Sequence, residues 1–288
     1  MHKTSDVEKP SKLLQDTNLD TVYFRSFSEI PNAKRLSDLV NAEEAFRNGT
    51  AGSFDSVRTM IPTIEARYKA VDALIKQSGV TQVVEFAAGR TTRGINNPSW
   101  NFIHTDQDDS ALEQMREVSG TLSKGGCANV HFAKFDAVTG EGLAGVISLL
   151  ENREVAVVHE GLMMYYPHEQ QAKIALNAKR ILGRFGGIYI TPDVRTLEDP
   201  SFGRLYPQYA NRTREQRKLI GRDYDFKFGT KEEAVAFFEG LGFRVERKKY
   251  GELIGRLESL HVIFPNRREA ARVKAVIMEL DALRMALK

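Results

Sequence analysis

Between Gln82 and Thr191 the chain alternates. Five short strand-like runs, at residues 82–86, 101–105, 129–132, 155–159 and 187–191, each with an apolar centre, are separated by segments with helical spacing. Runs that stay apolar without a polar alternate belong to strands covered on both faces, and strand–helix alternation predicts a parallel sheet with helices on either side. In such a sheet ligands bind beyond the carboxyl ends of the strands. The helix before the fifth run is clearly punctuated. Pro167 suits its first turn, Ile174, Ala175, Ala178, Ile181 and Leu182 form its buried face, and Gly183 is the expected stop.

The flanks extend this plan. Residues 13–46 are loosely helical, Asn48 to Ser53 form a loop, and a helix is predicted over 62–76, with Ile64, Tyr68, Val71 and Ile75 on one stripe and Arg67 beside it. The stretch 192–229 is irregular and aromatic (Phe202, Tyr206, Tyr209, Tyr224, Phe226, Phe228), and an interruption of that length in a compact domain is expected to be either functional or disordered. Thr230 and Glu233 then have the spacing of a capping box. Residues 243–250 and 259–264 are expected to pair as an antiparallel hairpin. Residues 267–288 (Val273, Val276, Ile277, Leu280, Leu283) are expected to form an amphipathic helix, packed on the body or offering a homodimer contact. The predicted organisation is an N-terminal helical lid over 1–79, the sheet domain over 80–265 with a cap insertion near 192–229, and a C-terminal helix over 266–288.

Composition narrows the partners. The 288 residues are 42% hydrophobic, enough for one large core, and a net charge of +3 gives no case for nucleic acid. No run of about 18 apolar residues suggests a membrane span, and the polar start (MHKTSDVEKPSKLLQD) does not resemble a signal peptide. The lone Cys127 has no partner for a disulfide and no Cys neighbour for a metal. A cytoplasmic protein without a metal is the expectation.

The chemistry gathers where the strands end. Glu85 closes the first run, Asp106 the second, Asp136 follows the third, and Glu160 stands just beyond the fourth. Any one acid could be a cap or a surface group, but four in the same topological place point to a ligand site. Asp106 follows Glu85 by 21 residues, close to the spacing of about 20 at which a second-strand acid binds ribose hydroxyls. The loop between them, VVEFAAGRTTRG, lacks the G-x-G-x-x-G of a pyrophosphate binder, and an acid at its mouth repels phosphate. That acid suits a cofactor with an ammonium and a sulfonium cation, S-adenosylmethionine. Glu85 would attract its methionyl end, and the Ala87-Ala88-Gly89 backbone would line it.

The ordered set "EARYKAVDALI", "VVEFAAGRTTR", "FIHTDQD", "FDA" and "HEGLMMYY" resembles the class I methyltransferases of the leucine carboxyl methyltransferase family, with its bacterial small-molecule O-methyltransferase branch. The resemblance covers about residues 64–193 and departs in the first loop, where Ala87-Ala88-Gly89 replaces the family's Gly-x-Gly. It implies a Rossmann-like α/β fold of five parallel strands and a C-terminal antiparallel hairpin, with helices on both faces and an N-terminal helical lid. It also implies that Arg67 grips the cofactor carboxylate and faces the substrate, Asp106 holds the ribose, Asp136 and Ala137 the adenine, and Glu160 the methionyl end. Arg25 matches a basic residue of the lid.

The resulting expectation is an S-adenosylmethionine-dependent O-methyltransferase acting on a small-molecule carboxylate or hydroxyl, with Arg25, Tyr206 and Tyr209 around the acceptor. A carboxylate needs no base. For a hydroxyl, His159 is the candidate base, although adjacent strand residues face opposite ways and His159 could equally be buried packing. A protein C-terminal carboxylate as acceptor, and a non-catalytic cofactor-binding or interaction module, are the alternatives.

Overall fold

The computed structural model describes residues 12–48, 54–123, 126–200 and 226–288. Seven strands, β1 Gln82–Phe86, β2 Asn101–Asp106, β3 Val130–Lys134, β4 Val155–His159, β5 Gly187–Thr191, β6 Phe243–Lys249 and β7 Asp281–Leu287, form one sheet in the order β3-β2-β1-β4-β5-β7-β6. β1 to β5 are parallel, and β7 runs antiparallel between β5 and β6. The chain winds outward from β1 to β3, then returns to place β4 on the other side of β1. This reversal opens a crevice at the carboxyl ends of β1 and β4.

Period-two alternation divides the core between the two faces. Val83 of β1 and Ala156 and Val158 of β4 pack with the Met60–Ser78 helix, whereas Val84, Phe86, Val155 and Val157 pack with the His168–Phe185 helix. All five residues of β1 are buried, as a strand covered on both faces requires. Gly79 ends the Met60–Ser78 helix at φ 72°, and the capping box of Thr230 and Glu233 opens the Lys231–Gly240 helix. Among the described residues no helix is long and apolar enough to cross a membrane.

Three expectations are corrected. The hairpin partner of β6 is β7, not residues 259–264. Those residues lie in and just after the Glu258–Ile263 helix, where Leu260, Ile263 and Phe264 are buried at helical spacing while His261 and Val262 face outward. The C-terminal amphipathic helix stops at Met278, and Asp281–Leu287 is a strand. Its Ala, Leu, Arg and Met favour a helix, but backbone pairing with two neighbours and burial of Leu283 and Met285 outweigh that preference. Finally, the helix after β4 passes Gly183 and ends at Gly186, φ 72°.

Candidate active site

The register of β1 and β4 sets which acids meet. Glu85 pairs with Val158, so Glu160, two residues further along, emerges on the same face as Glu85, and His159 points to the other. The face of Glu85 and Glu160 is the one covered by the Met60–Ser78 helix, which supplies Arg67, Tyr68 and Asp72. The short helix Arg93–Asn96, reached through the loop after β1, adds Arg93.

These side chains form a layered ion cluster. Glu160 accepts hydrogen bonds from Arg25 Nη2 (2.9 Å) and Arg67 Nε (3.1 Å) on Oε1, and from Arg93 Nη2 (2.8 Å) on Oε2. Arg93 also donates to Glu85 through Nε (3.1 Å), to Asp72, and to the Tyr68 carbonyl, with its guanidinium 4.2 Å from the centre of the Tyr68 ring. The inner members are sealed: the side chains of Arg93, Glu160 and Glu85 are 0, 1 and 3% exposed. Arg25 and Arg67 form the outer layer at 10 and 19%. A ligand entering the crevice therefore meets guanidinium groups first, with carboxylates behind them.

Burial would raise the Glu160 pKa, but Arg25, Arg67 and Arg93 together hold it below the ordinary value. For Glu85 burial wins over Arg93, and its carboxyl is pushed up to about 7. Glu85, expected from the sequence to attract the methionyl end, is nearly unexposed here and bonded to Arg93 Nε.

The loop after β1 is held from two directions. Ala87 adopts φ 46° and Gly89 φ 53°, the left-handed region. A Cβ on Gly89 would overlap the Asn18 amide, and Asn18 Oδ1 accepts the Arg90 N–H at 3.3 Å. Asn18 and Arg25 lie two turns apart on the Lys12–Arg25 helix, so one face of that helix reaches from this loop to Glu160. Asp106, at the end of β2, accepts the Gly89 N–H (3.2 Å) and the Asp108 N–H (3.1 Å), which aim its carboxylate at the loop; burial raises its pKa against these bonds. Asp136 stands beyond β3 with Oδ1 accepting the Val138 and Thr139 N–H groups at 2.8 and 3.0 Å, and the Ala137 carbonyl is fixed by Asn177 at 2.9 Å.

His159 is fully buried on the opposite face. Its Nδ1 donates to Asp193 (3.0 Å), and its Nε2 accepts from the Tyr189 hydroxyl (2.7 Å). No ring nitrogen is left to take an acceptor's proton, so the geometry gives His159 a packing role and not that of a base. Arg25, Arg67, Glu85 and Glu160 are brought together, while Ala87, Gly89 and Asp106 line the adjoining loop. Tyr206 and Tyr209 lie outside the described residues. Sequence spacing did not single out Arg93, Asp72 or Asp193. One signal was present: acids at the ends of wholly apolar strands must be paired when buried, and the arginines of GRTTRG were the nearest cations.

The order of the sheet, the β1–β4 crevice and the acid-lined strand ends define a Rossmann-like methyltransferase fold. A solved structure from Thermobifida fusca YX, assigned as a methyltransferase, superimposes with a TM-score of 0.56 at 14% identity over 98% of this chain and 96% of its own. A SAM-dependent methyltransferase from Anabaena variabilis ATCC 29413 is similar over the whole of both chains (TM-score 0.49, 14% identity). The mitomycin 7-O-methyltransferase MmcR is similar over 98% of this chain and 74% of its own (0.46, 12%). No family profile matches the sequence, and no curated protein does. The likeness to the leucine carboxyl methyltransferases therefore rests on its motifs alone.

Proposed function

We propose that the protein is a cytoplasmic S-adenosylmethionine-dependent O-methyltransferase that acts on a small molecule, at a carboxylate in preference to a hydroxyl. The observation that carries this reading is the convergence of Arg67, Glu160, the Ala87–Gly89 loop and Asp106 on one crevice of a methyltransferase-like fold. The donor set fits the cofactor. An acid at the end of β2 suits ribose hydroxyls, a small-residue loop allows close backbone approach, and the outer Arg67 guanidinium suits the methionyl carboxylate. Asp136 and Ala137 would take the adenine, and Glu160, behind Arg25 and Arg67, would serve the methionyl end by holding Arg67.

The cofactor would supply a methyl group on a sulfonium, which leaves as a neutral thioether when an oxygen nucleophile displaces it. The protein's part is to orient the two reactants and exclude water, an effect of order 7–11 kcal/mol when alignment is good. With both nitrogens of His159 engaged, a nucleophile already ionised at neutral pH is favoured, and a carboxylate meets that need. Arg25 and Arg67 would attract it, with the N-terminal helices as a lid.

Incubation with methyl-labelled S-adenosylmethionine and panels of carboxylic acids and phenols tests this. Label released as methanol by mild alkali indicates an ester and supports the reading. Alkali-stable label indicates an ether and moves the acceptor to a hydroxyl. Label in a protein band instead identifies a protein carboxylate, and cofactor binding without turnover on any acceptor identifies a non-catalytic module.

A further inference from the structure

Arg93 is the most buried charge in the largest ion cluster among the described residues, and the bonds it makes are divided in a particular way. Its three nitrogens reach three carboxylates on three elements: Nε to Glu85 of β1, Nη1 to Asp72 of the Met60–Ser78 helix, and Nη2 to Glu160 beyond β4. The Tyr68 carbonyl takes a further N–H, and the Tyr68 ring covers the guanidinium plane. With 0% exposure, Arg93 touches no solvent and offers no surface to a ligand. Its effect on Glu160 is specific nonetheless. Arg93 occupies Oε2, so Oε1 alone faces the outer arginines Arg25 and Arg67, at the crevice.

We propose that Arg93 is a positioning residue for the cofactor site, fixing the rotation of the Glu160 carboxylate so that Oε1 is always presented to Arg25 and Arg67, whose guanidinium groups form the outer layer, and bonding Glu85 on its other side. The proposal rests on the methyltransferase reading and adds a role for a residue that would not touch the cofactor. A lysine could not substitute. One ammonium is a point charge on a flexible stem and cannot hold carboxylates on three sides at fixed angles, as a planar guanidinium does. Loss of a charge-assisted hydrogen bond of this kind weakens an interaction by roughly ten- to a hundredfold.

The test is a double-mutant cycle read by calorimetric titration with S-adenosylhomocysteine on protein whose folding is verified by thermal melting. Arg93→Lys and Glu160→Gln are each expected to weaken binding by at least about tenfold, and the double variant little further, because Arg93 acts through Glu160. Glu65→Gln, which disturbs a buried carboxylate outside this cluster, should lower the melting temperature but leave affinity within about threefold, so that a loss of affinity in Arg93→Lys is not a general effect of destabilisation. Wild-type affinity in folded Arg93→Lys, or strict additivity in the double variant, overturns the proposal. If Arg93→Lys does not fold, the paired change Arg93→Gln with Glu85→Gln removes both charges together. Its affinity should still fall at least about tenfold, and retention overturns the proposal. Failure of the unmodified protein to bind overturns the methyltransferase reading itself, and this proposal with it.

Discussion

Asp193 receives His159 Nδ1 at 3.0 Å and, on the same carboxylate, the N–H groups of Gly161 (2.8 Å), Leu162 (2.7 Å) and Met163 (3.3 Å). A histidine that the sequence offers as a base is thus one part of a buried clamp. The clamp fixes the backbone that follows Glu160.

Asp193→Asn should therefore destabilise the protein by about 2–4 kcal/mol, since an amide cannot accept the same four donors and its own N–H groups are left buried. Burial alone would raise the Asp193 pKa, but the hydrogen bond from His159, the nearby Arg67 charge and the Leu162 N–H lower it to about 2. The folded value lies below the ordinary one, so this stability is present above pH 4 and is lost as pH falls toward 2. Chemical denaturation of both proteins from pH 7 to pH 2 checks this: the difference should shrink across that acid window. A variant as stable as the parent at pH 7 would contradict the clamp.

Ala87 holds φ 46° without being glycine. A left-handed L-residue costs about 1–2 kcal/mol, partly offset by the smaller entropy of the unfolded alanine chain. Ala87→Gly is expected to gain up to about 1 kcal/mol, a rise in melting temperature of about 2–4 °C. Unchanged or lower melting in a thermal scan would mean that the Ala87 methyl contributes packing that outweighs its strain.

Glu65 is wholly buried and accepts the N–H groups of Glu258 and Ser259 at 3.0 Å each, as well as the Ser259 hydroxyl and the Lys69 ammonium. It fastens the Glu258–Ile263 helix to the Met60–Ser78 helix. Glu65→Ala should cost about 2–4 kcal/mol by leaving these donors unpaired. Hydrogen exchange should show lost protection first at Glu258 and Ser259. Uniform loss across the sheet would argue for a global role instead.

The parts of the fold that were legible in the sequence are those where period and burial agree. β1 and β4 are apolar on both faces, and their runs could have little else to form. The β1–β4 crevice followed, because acids at successive strand ends fall at one edge of a parallel sheet. Legibility failed where long-range pairing outweighs local preference. Nothing local distinguishes Asp281–Leu287, with its Ala, Leu and Met, from a helix continuing beyond Met278, and only pairing with β5 and β6 makes it a strand. The site failed differently. Glu85, Glu160 and Arg67 were recognisable individually, but Arg93 reaches Glu160 across 67 positions of sequence, and the order in which three arginines share one carboxylate depends on side-chain packing that no spacing encodes.

The central claim is that this crevice holds S-adenosylmethionine with Asp106 on its ribose. Calorimetric titration of the purified protein and of Asp106→Ala with S-adenosylhomocysteine, with NAD as control, tests it most directly. The account predicts micromolar binding to the unmodified protein, none of NAD, and at least a tenfold loss on removing the carboxylate, as expected of charge-assisted bonds worth about 1.5–3 kcal/mol. Absence of S-adenosylhomocysteine binding, or an affinity that Asp106→Ala leaves unchanged, would contradict it.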